Sequence, residues 1–391
     1  MFNARLQAEL DELEEKGLRR VLRGLDGAQD RVVGIGGKAY INFCSNNYLG
    51  LAADVRLRDA AAASLQQSGF GAGASRLVCG TLSEHQKLEE RLAVFKGAER
   101  CVLFNCGYMA NVGIIASLFG RGDLILSDRL NHASIIDGIV LSRADFRRYP
   151  HCDMAGLERL LREAGGKYRT IAVITESVFS MDGDLAPLDQ IVRMTKQHGA
   201  VLMVDEAHAA GVFGAGGRGA VEHFGCGSDV AIQMGTLSKA FGSFGAYVCG
   251  STRLIEYVMN RARSFIYTTA LPPSVAAASL KALEIIEAEP GRREALWRNA
   301  TEMRRRLKEA GFDTLRSVSP IIPVVVGDEK RATTFSAKLF EQGLLVTAIR
   351  PPTVPANTAR LRVTVTASHT PDDLECLLRR MKTVGEELCL I

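Results

Sequence analysis

The chain has 391 residues, of which 47% are hydrophobic and 24% are charged. This composition is typical of a globular protein with a large buried core, and it excludes a disordered chain, a collagen-like repeat and a coiled coil. The net charge of +4 is too small to predict a nucleic-acid-binding protein.

The first predicted elements are a helix over residues 4–25, a glycine-rich turn and a short strand near residues 40–43. Helical patterns then alternate with short apolar runs, at residues 101–104, 123–128, 170–177, 200–208, 229–236 and 245–250. Short runs rich in Val, Ile and Leu without polar alternation are typical of strands buried on both faces of a parallel sheet. The alternation therefore predicts a large, doubly wound α/β domain with a mostly parallel sheet.

The last third of the chain predicts a smaller α+β domain. A helix over residues 274–307 is expected to lead into it, followed by the strand-like runs IIPVVVGD, GLLVTAI and ARLRVTVTA with helices between and after them. We therefore expect a helical arm over residues 1–44, the large α/β domain over 45–290 and the small domain over 291–391.

No segment predicts a membrane-spanning helix. The longest apolar stretches, such as residues 112–119, are far shorter than the roughly 20 residues that cross a bilayer, and the charged N-terminus does not resemble a secretion signal. The nine cysteines are scattered, with neither a CxxC pair nor the spacing of a zinc site. These features predict reduced, mostly buried thiols, a cytoplasmic protein without a membrane partner, and no metal site.

Polar residues at the ends of the predicted strands are the candidates for chemistry, because ligands of open α/β sheets bind at the carboxyl ends of strands. Asp205 and His208 end one run, and a strand-end Asp alone is more often a helix cap. Lys239 follows another run among small residues, where partial burial would lower its pKa and make it a better nucleophile. A surface loop lysine is an equally good interpretation of that segment alone. Together the three residues predict an aldehyde cofactor with a ring nitrogen.

Two further features support such a site only weakly. His132 follows a predicted strand and could stack on a cofactor ring, although a capping or core histidine is more common. Gly107 and Tyr108 begin a predicted helix whose free amides could bind a phosphate, although most helix starts bind nothing.

Two motif matches are set aside. Residues 214–219 fit GxGxxG, but no clear helix is predicted after them, so a dinucleotide site is not expected. Residues 205–208 read DEAH, but the chain has no GxxxxGK[ST] loop, so nucleotide hydrolysis is not expected.

Longer motifs resemble the α-oxoamine synthases, pyridoxal-phosphate enzymes of fold type I. The resemblance extends over nearly the whole chain and rests on GLRR, NFCSNNYLGL, GFGAGASRLVCGT, LFNCGYMAN, DRLNHAS, ESVFSMDGD, VDEAHAAGVFGAGGRG, GTLSKAFGSFGA and FIYTTALPP. Within the family, residues 347–369 resemble the members that condense L-alanine with a pimeloyl thioester carried by CoA or an acyl-carrier protein. The turn at residues 74–76 departs from the more glycine-rich turn of some relatives.

The resemblance implies a role for each matching residue. Lys239 would form the Schiff base with pyridoxal 5'-phosphate and act as general base and acid, and Asp205 would keep the pyridine nitrogen protonated. His132 would stack on the ring, and His208 would hydrogen-bond its phenolate oxygen. The remaining implied cofactor contacts are Gly107, Tyr108, Thr236, Ser180 and, in a homodimer, Thr268 or Thr269 of the neighbouring subunit. The implied substrate contacts are Asn46 and Arg350 for the amino-acid carboxylate, and Arg20 (or Arg19) and Thr353 for the acyl group.

Three other functions are kept as alternatives. The nearest is a family member that uses glycine. The second is a non-catalytic protein that retains the fold, which the presence of Lys239, Asp205 and His132 disfavours. The third is a nicotinamide-dependent dehydrogenase built on the GxGxxG match.

Overall fold

The computed structural model describes all 391 residues. The helices are α1 (Phe2–Glu15), α2 (Val55–Ser68), α3 (Ser83–Lys96), α4 (Gly107–Leu118), α5 (Ala133–Ser142), α6 (Met154–Ala164), α7 (Leu188–Gln197), α8 (Ala220–His223), α9 (Thr252–Arg261), α10 (Arg263–Ile266), α11 (Pro273–Ala288), α12 (Pro290–Glu309), α13 (Glu329–Glu341) and α14 (Pro371–Glu387). The strands are β1 (Val32–Ile35), β2 (Lys38–Asn42), β3 (Arg100–Phe104), β4 (Asp123–Asp128), β5 (Asp145–Tyr149), β6 (Thr170–Glu176), β7 (Val201–Asp205), β8 (Ile232–Thr236), β9 (Ala246–Gly250), β10 (Ile321–Gly327), β11 (Leu344–Leu345), β12 (Thr347–Ile349) and β13 (Ala359–Thr364).

The chain packs into two compact units. The large unit holds Leu51–Ser180 and Leu185–Arg293, and the small unit holds Met1–Gly50, Met181–Asp184 and Glu294–Ile391. The first 50 residues thus pack with the C-terminal segment. The three-part division at residues 44 and 290 stays a prediction.

A seven-stranded sheet forms the centre of the large unit, in the order β3-β9-β8-β7-β6-β4-β5. Strands β8, β7, β6, β4 and β5 are parallel, and β9 runs antiparallel to both of its neighbours. Every residue of β4 is buried, as expected for a strand covered by helices on both faces. The doubly wound, mostly parallel α/β architecture is therefore confirmed.

The small unit has two three-stranded sheets, ordered β1-β2-β11 and β10-β13-β12. Its core includes Ile322 and Leu361 from the second sheet, with Phe335 of α13 and Met381 of α14 packed in the same cluster. The predicted α+β character of this segment is confirmed.

Two predicted helices are wrong in their extent. Helix α1 ends at Glu15 instead of continuing to residue 25, and Gly17 has a left-handed φ of 63° that a helix cannot include. The predicted helix over 274–307 is two helices, because Pro290 has no backbone N–H to continue the hydrogen bonds of α11 and starts α12 instead.

The structure also describes the segment after Gly219, the burial of the cysteines and the hydrophobicity of the helices. A one-turn helix, α8, does follow Gly219, where no clear helix was predicted. Only three of the nine cysteines are buried, so the prediction of mostly buried thiols is wrong. No helix combines the length and hydrophobicity that a membrane-spanning segment needs.

Candidate active site

The carboxyl ends of four parallel strands meet at one edge of the large sheet. Asp205 is the last residue of β7 and lies in register with Glu176, the last residue of β6. Thr236 ends β8 on the other side of β7, and His132 follows β4. The strand order therefore brings together polar groups from four separate parts of the sequence.

The carboxylate of Asp205 is 4% exposed and accepts two hydrogen bonds. The side-chain Nδ2 of Asn111 donates to Oδ2 at 2.8 Å, and the backbone N–H of Ala207 donates to Oδ1 at 2.8 Å. Both carboxylate oxygens of Asp205 are thus held in a fixed orientation at the sheet edge.

Lys239 lies half-buried in the loop after β8. Its positive charge is one of the influences on the pKa of His132. Burial lowers the pKa of His132; the negative charge of Asp205 opposes this change and the positive charge of Lys239 adds to it. His132 is the N-cap of α5, and its side chain accepts the backbone N–H of Ser134. The charges of a carboxylate and a lysine amine therefore both act on the imidazole of His132.

The start of α4 forms a possible anion site. Its N-cap, Cys106, makes no side-chain capping bond, so the first amide groups at Gly107 and Tyr108 have no partner within the helix. A Cβ atom at Gly107 would lie 2.8 Å from Cγ2 of Thr236, so only glycine allows this approach of the helix to β8. The Tyr108 hydroxyl donates to Asp137, which raises the pKa of Tyr108.

Four other predicted contacts lie in the loops of the large unit. His208 is buried in the turn after β7, and Ser180 is half-buried after β6. Thr268 and Thr269 lie between α10 and α11, where Nδ2 of Asn105 donates to Oγ1 of Thr268 at 3.2 Å and to the carbonyl of Thr269 at 2.9 Å. Asn105 thus fixes the conformation of this loop.

The remaining predicted residues belong to the small unit. Arg20, Arg350 and Thr353 line a cleft of about 380 Å³. Arg350 donates from its guanidinium to the backbone carbonyls of Gly17 and Arg19, so it fastens the N-terminal arm. The side chain of Arg19 pairs instead with Glu14 on the surface, so Arg20 is the better candidate of the two for an acyl contact.

Asn46 contacts an arginine that the sequence analysis missed. Arg362 is 7% exposed on β13, and its Nη2 donates to Oδ1 of Asn46 at 3.1 Å, while Nη1 donates to Oγ1 of Thr364 at 2.8 Å. The side-chain acceptors of these two hydrogen bonds, Asn46 and Thr364, are both neutral. The signal in the sequence was the presence of two arginines, Arg360 and Arg362, in the strand-like run ARLRVT.

Glu176 is a second residue that the sequence analysis did not place in the site. Its side chain is buried, and its Oε1 has no hydrogen-bond partner. Burial and the neighbouring Asp205 raise the pKa of Glu176 well above its usual range, with Lys239 acting in the opposite direction. The sheet edge therefore holds two carboxyl groups in different environments.

Comparison with known proteins places this geometry in a family. The model of the aminotransferase class I and II family matches residues 38–381. The chain belongs to that family. It is 51% identical over 388 residues to 8-amino-7-oxononanoate synthase from Geobacter sulfurreducens, covering 99% of both chains.

Solved structures of aminotransferase class I and II relatives agree with the fold. Serine palmitoyltransferase from S. paucimobilis, in a variant with a bound pyridoxal phosphate–myriocin aldimine, matches with a TM-score of 0.93 and 33% identity over 99% of this chain and 98% of that one. 8-Amino-7-oxononanoate synthase from Francisella tularensis matches with a TM-score of 0.78 and 32% identity over 89% of this chain and 98% of that one. These relatives confirm the predicted fold class and the prediction of a pyridoxal-phosphate-dependent acyltransferase.

Proposed function

We propose that this protein is an 8-amino-7-oxononanoate synthase of biotin biosynthesis. It would condense L-alanine with the pimeloyl group of CoA or an acyl-carrier protein, releasing carbon dioxide and the thiol. The observation that carries the proposal is the convergence of Lys239, Asp205 and His132 at the carboxyl edge of the sheet. The 51% identity to a relative of that name supports the choice of reaction.

The residues at this edge fit pyridoxal 5'-phosphate. The uncapped amides of Gly107 and Tyr108 suit its phosphate, together with Thr236 beside them. The buried carboxylate of Asp205 suits a protonated pyridine nitrogen, and the half-buried amine of Lys239 suits an aldehyde. His132, His208 and Ser180 would complete the contacts to the ring.

When bound, the cofactor supplies an electron sink for the pair that is left when the Cα–H bond of alanine breaks. Lys239 would hold the cofactor before alanine arrives. Its amine would then take the Cα proton and later return a proton to the same carbon. Asp205 strengthens the sink, because its negative charge keeps the pyridine nitrogen protonated.

The bond changes require a carboxylate site and an acyl site. Cα of alanine forms a bond to the thioester carbonyl, the C–S bond breaks, and the former carboxylate leaves as carbon dioxide. Asn46 with Arg362, or the predicted Arg350, would hold that carboxylate until then. Arg20 and Thr353 would contact the acyl chain or its carrier in the cleft that they line.

The proposal includes a homodimer. Thr268 or Thr269 would reach the phosphate of the partner's cofactor from the loop that Asn105 fixes. The neighbouring Tyr267 is 72% exposed, as expected for a loop that a second copy covers. Sedimentation of the purified protein checks this part of the proposal.

An assay with matched substrate pairs tests the reaction. The purified chain with pyridoxal phosphate should condense L-alanine with pimeloyl-CoA and form little product from glycine and acetyl-CoA. The reverse preference would favour the alternative, glycine C-acetyltransferase. Lys239→Ala should lose turnover, whereas the exposed Lys87→Ala should retain it. Full turnover of Lys239→Ala would overturn the proposal.

A further inference from the structure

A buried hydrogen-bond chain connects His132 to Asp205. Asn111 on α4 and Ser134 on α5 are each 1% exposed. The Nδ2 group of Asn111 donates to Oδ2 of Asp205 at 2.8 Å and to Oγ of Ser134 at 2.9 Å. The Ser134 hydroxyl lies 2.8 Å from Nδ1 of His132. The two residues thus connect the imidazole to the carboxylate.

The donor and the acceptor of each hydrogen bond between Asp205 and His132 can be assigned. The Asn111 amide must point its NH₂ group at Asp205, because the opposite orientation would place Oδ1 against a carboxylate. Oδ1 is accordingly buried without a partner. The Ser134 oxygen accepts from Asn111, so its own proton is available for Nδ1 of His132.

The backbone confirms which nitrogen of His132 carries the proton. The N–H of Ser134 donates to Nδ1 of His132 at 3.2 Å, and a backbone N–H cannot accept. Two donors therefore face Nδ1, which must be unprotonated. The hydrogen-bond network assigns the proton to Nε2 and leaves the imidazole neutral.

A close helix contact makes this chain possible. Gly138 lies one turn after Ser134 on α5, and a Cβ atom there would lie 3.0 Å from the carbonyl oxygen of Asn111. The absence of that Cβ lets α4 and α5 approach until Asn111 reaches Ser134. The spacing of the two helices is thus part of the same arrangement.

We propose that Asn111 and Ser134 are positioning residues that hold His132 as the neutral Nε2–H tautomer beside the cofactor. This inference rests on the proposed function, in which His132 stacks on a ring that Asp205 keeps protonated. An imidazolium would repel that positive ring, whereas a neutral imidazole would not. The charged groups that act on His132 are Asp205, Lys239 and Asp137, and burial together with Lys239 favours its neutral form.

Nitrogen-15 NMR of the full chain, first without and then with pyridoxal phosphate, tests the inference directly. The His132 signals are identified by their loss in His132→Asn. At pH 7 they should show an unprotonated Nδ1 and a protonated Nε2. Ser134→Ala removes one of the two donors that face Nδ1 and leaves the backbone N–H, so a fraction of the Nδ1-protonated form should appear beside the Nε2–H form. Ser134→Thr should restore the single tautomer. An imidazolium or an Nδ1–H tautomer in the unmodified chain would overturn the inference.

Kinetics supply the second readout. Ser134→Ala should lower kcat for the alanine condensation about 3- to 10-fold, since one hydrogen bond of about 1 kcal/mol is lost. Ser117→Ala is the control, because that hydroxyl donates only to the carbonyl of Ile114 on α4. Equal kcat values and unchanged NMR signals in the two alanine variants would refute the positioning role. The NMR result without cofactor stays decisive even if alanine is not the substrate.

Discussion

Glu176 and Asp205 are directly paired across β6 and β7, yet their carboxyl groups have different hydrogen-bond partners. Asp205 accepts from Asn111 and Ala207, whereas Oε1 of Glu176 has no partner. Two adjacent carboxylates at this edge would repel each other. Burial and the neighbouring charge of Asp205 therefore act together to raise the pKa of Glu176.

Glu176→Gln should change how stability depends on pH. Burial raises the pKa of Glu176 above its unfolded value of 4.5, so its contribution is complete below that value and is lost as the pH rises toward the folded pKa. Each pH unit in that window costs about 1.4 kcal/mol. The variant should gain stability relative to the unmodified chain as the pH rises above 4.5, as measured by apparent Tm. Glu90→Gln, on the surface, should show no such trend.

Lys96 and Glu206 form a buried ion pair beneath the turn that carries His208. Their side chains are 2% and 0% exposed, and Oε1 of Glu206 also accepts the N–H of Val221 at 2.9 Å. Lys96→Met should cost about 3–5 kcal/mol, because it leaves an unpaired buried charge. Adding Glu206→Gln should recover part of that loss in urea unfolding. Additive losses in the double variant would contradict this account.

Arg362 and Arg350 should differ in their kinetic effects. Arg362→Ala should raise the KM for alanine roughly 10- to 100-fold, as expected for the loss of a charged hydrogen bond, while Arg362→Lys retains part of the binding. Arg350→Ala frees the arm at Gly17 and Arg19, so it should chiefly raise the KM for the acyl thioester. Steady-state assays with each substrate varied measure both. A larger effect of Arg350→Ala on the KM for alanine would support the prediction that Arg350 holds the amino-acid carboxylate.

Gly138→Ala tests the spacing of α4 and α5. The added Cβ would lie 3.0 Å from the carbonyl of Asn111 and 3.1 Å from Cβ of Ile115, so the helices must move apart. We expect a net loss of about 1–2 kcal/mol despite the better helix propensity of alanine. Gly291→Ala in α12 is the control, since nothing lies within 4 Å of its added Cβ. Its unfolding midpoint should stay unchanged or rise.

The elements that could be predicted from the sequence are those whose pattern comes from burial on both faces. Strand β4 was predicted with its observed limits because its sequence, DLILSD, has a short apolar run. That run reflects burial, since all six residues of the strand are buried. Strand β5 was missed, because four of its five residues are exposed at the sheet edge and its sequence, DFRRY, has no apolar run. The end of α1 depends on the conformation of Gly17, which composition alone does not reveal.

The residues of the candidate site also divide into those that the sequence pattern identifies and those that only the tertiary structure identifies. Asp205, Lys239 and His132 were found because each follows a recognisable strand. Asn111 and Ser134 lie within helices, where a buried polar side chain is indistinguishable in sequence from an ordinary helix residue. Their significance comes from the packing of α4 against α5, which depends on tertiary structure.

The pairing of β2 with β11 has a consequence for synthesis of the chain. Cys44, just after β2, bonds to the carbonyl of Leu345, which is 301 residues further along. During synthesis on the ribosome, the edge of β2 that pairs with β11 therefore has no partner until the intervening residues have been translated. This strand edge stays unpaired for longer than in a protein whose neighbouring strands are made in succession, so a chaperone would have to bind it for longer.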